Sequence, residues 1–280
     1  MEILELINSG SKQLKNKKIY SHQLDSEILL SKVLNKTREE LLINLNEEIG
    51  QQKIGYFNRL IERRSSKEPI AYILKEKEFW SKKFFLDNNT LIPRPETELM
   101  VEKIVKIFKE KDISVLDIGT GTGCILISIL SELQNSKGIG IDISQKAIQI
   151  ANANLKKHKL TQRAKFYKRS LSDIYYNKFD LIVSNPPYIM KKDLKNLDED
   201  IKKFEPKLAL DGGNDGLDVI KKVIYKSKYI LKIKGMLALE IGNEQFRKVS
   251  EILRSNKFKT RYLVKDYREN IRCILSTLEN

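Results

Sequence analysis

The segment from Val115 to Cys124 reads Val-Leu-Asp-Ile-Gly-Thr-Gly-Thr-Gly-Cys, setting Gly119, Gly121 and Gly123 at alternate positions between an apolar strand pattern and a helical one. A turn of this kind lets bare backbone approach a ligand, and the helix start behind it offers free N–H groups. Nineteen residues after Gly123, Asp142 ends the next apolar strand, where a carboxylate can accept both hydroxyls of a ribose. The order and spacing predict a nucleoside-containing cofactor held by Gly119, Thr120, Gly121, Thr122, Gly123 and Asp142. A dinucleotide enzyme needs a glycine further on to seat a pyrophosphate, in the stretch that here reads Cys124-Ile125-Leu126. Asp117, at the carboxyl end of its strand, would repel a phosphate and favour a ligand with an ammonium group. S-adenosylmethionine carries such a group. The competing reading is a tight strand-to-helix turn, with Asp142 capping the following helix.

A second constellation follows Phe179–Ser184, an apolar strand that runs into Asn185-Pro186-Pro187-Tyr188. Loops at the carboxyl ends of parallel strands flank the ligand crevice, so this turn is expected to face the same cleft as the glycine loop, with Asn185 near the cofactor as well as the substrate. The two prolines fix two φ angles and delete two N–H donors, and Pro186 confines Asn185 to extended geometry. What remains is a stiff set of acceptors, the Asn185 side-chain oxygen and the carbonyls beside it. Such a set suits a planar NH2 group whose hydrogens must both be held. An amide or exocyclic amine nitrogen is a weak nucleophile, and fixing its hydrogens orients it toward an electrophile and supports the positive charge it gains. The sulfonium methyl of S-adenosylmethionine is the matching electrophile, and Tyr188 can pack on the substrate plane or favour the cation through its ring. A Pro-Pro turn with Tyr188 packed on the surface is the structural alternative.

Positioning these groups requires an alternation of strands and helices. Strands are predicted at 114–118, 138–143, 164–168, 180–184, 236–241, 259–264 and 271–276, and helices at 96–110, 124–134, 145–158, 217–231 and 244–255, the third capped by Ser144. That pattern is the signature of an α/β fold with a parallel sheet, here of seven strands, covered on both faces. Residues 1–69 read as a helical recognition domain, with Ile54, Phe57 and Ile61 on one face and a capping-box spacing from Thr37 to Glu40. Strand-like patches at 70–74, 78–80 and 84–86 make 70–92 a β-hairpin linker, leaving 93–280 as the catalytic domain.

Composition bounds the partners. The 280 residues are 41% hydrophobic and 32% charged, which excludes a disordered or fibrous chain. The formal charge of +15 fits an anionic partner, but 40 of the 52 cations are Lys spread through the chain, and codon bias gives the same excess. Cys124 and Cys273 each lie in an apolar run and read as buried thiols of a reduced compartment. His22 and His158 have no metal or triad spacing, so no metal is expected. The N-terminal residues lack a signal-peptide pattern and no apolar run reaches about 18 residues, so a cytoplasmic protein without a membrane partner is expected.

The residues resemble the bacterial release factor glutamine methyltransferases. The resemblance runs through 68–73 (Glu-Pro-Ile-Ala-Tyr-Ile), 78–80 (Glu-Phe-Trp), 91–98 (Leu-Ile-Pro-Arg-Pro-Glu-Thr-Glu), the glycine loop, Asn185–Tyr188, Glu205-Pro206, 208–210 (Leu-Ala-Leu), 215–217 (Asp-Gly-Leu) and 240–242 (Glu-Ile-Gly). It implies a class I S-adenosylmethionine-dependent, Rossmann-like methyltransferase domain behind a small helical domain and a hairpin. It also implies methyl transfer to the amide nitrogen of the glutamine in the Gly-Gly-Gln loop of peptide chain release factors. The cofactor would lie on Gly119–Gly123 and Asp142, and the glutamine amide on Asn185, Pro186, Pro187 and Tyr188, with Asn185, Pro186 and Tyr188 carrying the catalysis. Relatives often set Asp-Trp against the adenine; here Asp173-Ile174 would supply apolar contact without an aromatic stack. The run Pro95-Glu96-Thr97-Glu98 favours the release-factor branch over enzymes acting on a ribosomal protein. Arg94 and Glu98 are candidates to position a lid or the substrate, and Glu98 is equally a first-turn helix carboxylate. An N6-adenine methyltransferase and a non-catalytic basic nucleic-acid-binding protein are the alternatives. A monomer with no obligatory nucleic acid is expected.

Overall fold

A computed structural model describes residues 1–174 and 178–279. The chain divides into two compact units, one of Met1–Glu76 with Asp198–Phe204, the other of Lys77–Leu197 with Glu205–Asn280.

The first unit is helical: α1 (Ile3–Asn16), α2 (His22–Leu34), α3 (Arg38–Ile43), α4 (Gln51–Ser65) and α5 (Ile70–Leu74). Its core gathers Ile3, Leu6, Ile7, Leu14, Leu29, Leu30, Leu41, Phe57, Leu60 and Ile61. The capping box forms at α3, where the Glu40 N–H donates to Thr37 Oγ1 (3.1 Å) and the Thr37 N–H donates to the Glu40 carboxylate (2.7 Å). Residues 70–74, expected as a strand, are helical instead. Pro69 at the N-cap presets the helical entry and Lys75, at φ +58°, ends the helix after one turn. Its apolar run is too short for periodicity to separate a buried helical turn from a strand.

A two-stranded hairpin, β1 (Glu76–Phe79) and β2 (Lys82–Phe85), follows. Trp80 and Ser81 both sit near φ +52°, as a tight two-residue turn demands, although neither is a glycine. The strain is held by side chains: the Trp80 N–H donates to Glu98 (3.0 Å) and its indole N–H to Glu132 (2.8 Å).

The second unit continues with α6 (Pro95–Phe108), β3 (Ser114–Ile118), α7 (Cys124–Glu132), β4 (Lys137–Asp142), α8 (Gln145–Lys157), β5 (Ala164–Lys168) and β6 (Phe179–Ser184). After a short α9 (Glu199–Phe204), which belongs with the first unit, come α10 (Asp218–Ile230), β7 (Leu231–Glu240), α11 (Phe246–Ser255), β8 (Phe258–Lys265) and β9 (Ile271–Leu278). Seven strands form one sheet in the order β5-β4-β3-β6-β7-β9-β8, parallel up to β7 and antiparallel at β9 and β8. Alternate residues face opposite layers. Val115, Leu181, Val183 and Ala238 pack with Met100, Ile104, Leu126 and Ala151 of α6, α7 and α8. Leu116, Ile182, Leu237 and Leu239 pack with Ile220, Val223, Val249 and Leu253 of α10 and α11. This is the class I methyltransferase architecture that the resemblance implies.

Strand order reverses between β3 and β6: the chain leaves β3 toward β4 and β5 on one side and returns to β6 on the other. Ile118 and Ser184 are register partners, so Gly119 and Asn185 emerge side by side at the carboxyl edge. Such a switch point is where open α/β sheets bind ligands. Asp142 ends β4 beyond the glycine loop, and Glu240 ends β7 beyond Asn185.

Candidate active site

A cavity of about 870 Å³ opens at this switch point, the size expected of a cofactor site. Its wall takes Gly119, Thr120, Gly121 and Thr122 from the loop after β3, Asp142 to Ser144 from the end of β4, Asn185 and Pro187 from the turn after β6, and Arg94 and Thr97 from the start of α6.

The loop is sewn to β4 through backbone. The Gly119 and Thr120 N–H groups both donate to the Ile141 carbonyl (2.9 and 3.0 Å), and the Gly121 N–H donates to Asp142 Oδ2 (3.0 Å). The three glycines divide into two roles. A Cβ on Gly119 (φ +73°) or Gly121 (φ +54°) would meet no atom within 4 Å, so both line open cavity in a conformation that disfavours a side chain. At Gly123 (φ +80°) a Cβ would come within 2.9 Å of the Phe166 ring, so this glycine serves helix-to-sheet packing.

Asp142 accepts the Gly121 N–H on one oxygen and the Ser144 N–H on the other (2.9 Å). Each carboxylate oxygen retains a further acceptor site, so the loop and a pair of hydroxyls can share this carboxylate. Burial raises its pKa, and the backbone donors of Ser144 and Gly121 oppose the rise. Asp117 lies deeper. It is fully buried, outside the cavity lining, and its Oδ2 accepts the Thr120 hydroxyl hydrogen at 2.5 Å. Burial pushes its pKa up to about 7, against the pull of the Thr120 hydrogen bond. A cation bound over Thr120 would offset that desolvation, which fits a ligand bearing an ammonium group.

Asp173 and Ile174 stand elsewhere than the adenine reading requires. Asp173 closes a short 3-10 turn over 171–173 by accepting the Ser170 N–H (3.1 Å), and Ile174 is buried in the core beneath the sheet. The cavity wall at this point is built from Ser170, Leu171 and Ser172, so the apolar surface comes from Leu171.

The Asn185 turn is held by side chains. Ser184 donates from Oγ to the Ile118 carbonyl (2.8 Å), tying the end of β6 to the end of β3. Asn185 donates from Nδ2 to Thr97 Oγ1 (3.3 Å), and Thr97 donates to Glu240 Oε2 (2.6 Å). Glu240 is 1% exposed, and burial pushes its pKa up to about 7, countered by Thr97 and by Arg272. Gln245 donates to the carbonyls of Tyr188 (3.0 Å) and Gly216 (3.1 Å) while accepting the Gly242 N–H (2.9 Å). Pro186 is buried, and Tyr188 packs against the core, with its ring 3.0 Å from the position a Cβ would take on Gly242. Neither lines the cavity.

Arg94 lines the cavity and donates to Glu205 Oε1 (2.6 Å), anchoring the start of a segment whose Pro206, Leu208, Ala209 and Asp211 form another wall. Glu98 faces the hairpin turn rather than the cavity. Thr97 and Glu240 sit within the sequence motifs without a marker of their own, and Gln245 and Leu171 belong to no motif. Asn154 is similar: it donates to the Thr122 carbonyl (2.9 Å) and brackets Phe85. Its signal is legible in retrospect as a polar residue on the apolar face of α8, in step with Ala147 and Ala151.

Comparisons with known proteins place the chain among methyltransferases. Residues 5–74 match the family described as PrmC N-terminal domain, and 109–275 match a methyltransferase domain family. The release factor glutamine methyltransferase of Buchnera aphidicola is 40% identical over 253 residues, covering 89% of this chain and 90% of the relative. A bifunctional methyltransferase of Rickettsia typhi is 34% identical over 97% of this chain, which spans only 56% of that longer relative. The crystal structure of a ribosomal protein L11 methylase from Lactobacillus delbrueckii shares the fold, with a TM-score of 0.52 at 19% identity, over 70% of this chain and 84% of its own. With the Buchnera relative 40% identical over about nine-tenths of both chains, the chain belongs to the release factor glutamine methyltransferase family.

Proposed function

We propose that the protein transfers a methyl group from S-adenosylmethionine to the side-chain amide nitrogen of the glutamine in the Gly-Gly-Gln loop of peptide chain release factors, acting in the cytoplasm. The observation that carries this reading is the register of Ile118 with Ser184, which sets the cofactor-type glycine loop beside the Asn185 acceptor turn on one cavity. Gly119, Gly121 and Asp142 would hold the cofactor, whose sulfonium supplies an electrophilic methyl when bound. The Asn185 side-chain oxygen and the carbonyls beside it accept the two amide hydrogens and hold the nitrogen toward that methyl. Forming the N–C bond would break the methyl–sulfur bond, whose electron pair stays on sulfur as a neutral thioether, and would put the positive charge on nitrogen; the acceptors stabilise this charge, and the surplus proton then passes to water. The prolines, lacking N–H groups, present no donor that would compete for the amide.

No described helix is long and apolar enough to cross a membrane. The test is transfer of tritium from labelled S-adenosylmethionine to a purified release factor, with DNA and RNA in parallel. Label on the release factor supports the proposal; label on nucleic acid alone would replace it with adenine methylation.

A further inference from the structure

Resting on the proposed role of Asn185, we infer that Thr97 and Glu240 form a relay that sets which end of the Asn185 amide faces the substrate. An asparagine amide is nearly symmetric in shape, and its two orientations present opposite chemistry: oxygen outward accepts hydrogens, nitrogen outward donates them. Only the first can hold the NH2 group of a carboxamide. Packing alone discriminates weakly between them, so a hydrogen-bonding partner must decide.

Thr97 is one such partner, its own direction fixed from behind, and the Glu240 carboxylate also draws the Asn185 NH2 directly. A hydroxyl has one hydrogen, and an ionised carboxylate only accepts. Glu240, buried at the end of β7, takes the Thr97 hydrogen at 2.6 Å. Thr97 is then left with lone pairs toward Asn185, and the contact at 3.3 Å is satisfied only by the Asn185 NH2. The side-chain oxygen of Asn185 therefore points away from Thr97. Thr97 is itself 2% exposed and reaches the cavity wall, so little water competes for these bonds. The relay also explains why an amide stands at position 185: a carboxylate there would set acceptor against acceptor and bring a second negative charge to Glu240. Thr97 and Glu240 are positioning residues, acting on the substrate through Asn185.

The test compares Thr97→Val, which removes the hydroxyl at nearly constant volume, with Thr97→Ser, which restores it, in the full-length protein. Thr97→Val is expected to lower kcat toward a purified release factor by roughly 10- to 100-fold, with the Kd for S-adenosylmethionine within about twofold of wild type. Thr97→Ser should recover kcat to within about threefold, and Glu240→Gln, which keeps an acceptor, should retain more activity than Glu240→Leu. A second readout needs no turnover: selective 15N-asparagine labelling, with the Asn185 NH2 pair assigned by its loss in Asn185→Asp. That pair should shift in Thr97→Val and return in Thr97→Ser. Unchanged kcat and an unmoved NH2 pair in Thr97→Val would overturn the relay. Absence of transfer by the wild type would instead count against the proposed function, and the NH2 resonances alone would then decide the relay.

Discussion

The glycine loop and the Asn185 turn leave the same sheet edge on neighbouring strands, yet they are held by different means. The loop is held mainly by its own backbone groups, whose N–H groups donate to the Ile141 carbonyl and to a carboxylate 21 residues ahead and whose Thr122 carbonyl accepts from Asn154. The turn is fixed through side chains that arrive from far away, Thr97 at 88 residues' separation and Gln245 at 57. Bare backbone that lines a cavity leaves room that a side chain would fill; an acceptor made of one side chain needs others to aim it. Substitutions should therefore divide cleanly, loop changes acting on cofactor affinity and turn changes on turnover.

The largest expected effect breaks the turn. Asn185→Ala should lower kcat by roughly 10²- to 10³-fold, the scale for losing one preorganised polar group, with cofactor affinity by calorimetry nearly unchanged. A parallel loss of affinity would erase the division. On the other side, Gly121→Val adds a branched side chain where φ is +54° and where a Cβ projects into open cavity. Its Kd for S-adenosylmethionine should rise by roughly 10- to 100-fold, while kcat at saturation stays much closer to wild type.

Loop and turn each have one buried carboxylate behind them whose pKa burial pushes up to about 7, Asp117 behind the loop and Glu240 behind the turn. Glu240 faces Arg272, which favours its charge, and Glu96, which disfavours it. Protonation frees Thr97 from its fixed direction, so kcat should fall as pH drops through about 7, and Glu240→Gln should flatten that limb. The stability effect runs the other way. A carboxyl whose folded pKa lies above its ordinary value binds its proton more tightly when folded. Its contribution is greatest below about pH 4 and is lost as pH rises through about 7. Asp117→Asn and Glu240→Gln should each gain Tm relative to wild type between pH 5 and pH 8, by several degrees, on the order of 1–3 kcal/mol. A difference that stays flat with pH would show that these carboxyls titrate normally.

The smallest functional effect belongs to Gly123. Gly123→Ala should cost roughly 1–2 kcal/mol in urea unfolding through the Phe166 clash, with cofactor Kd within about threefold. A large affinity loss would return Gly123 to the cradle.

The same division explains what the sequence reveals. Gly119, Gly121 and Asp142 are legible because a strand, a glycine turn and a second strand end follow one another within one βαβ unit, and local geometry carries the chemistry. Asn185 is legible because two prolines mark a stiff turn. The Thr97–Glu240 pair is not, since a threonine in the first turn of α6 and a glutamate ending β7 look ordinary until strand order brings them together. Gly123 misleads for the converse reason: its spacing matches the cradle while its neighbour Phe166 arrives from β5. Asp173-Ile174 is misplaced because a 3-10 turn decides which of two adjacent residues faces the cavity. Residues 70–74 fail as a strand because five apolar residues have no readable period.

In the proposed reaction the Asn185 oxygen aims a carboxamide nitrogen at the methyl donor. Its most direct test is mass mapping of a release factor after incubation with the protein and S-adenosylmethionine, in wild type and Asn185→Ala side by side. A single methyl on the glutamine of the Gly-Gly-Gln loop, lost in the variant, is the predicted result. Methylation at any other residue, or equal methylation by Asn185→Ala, would contradict it.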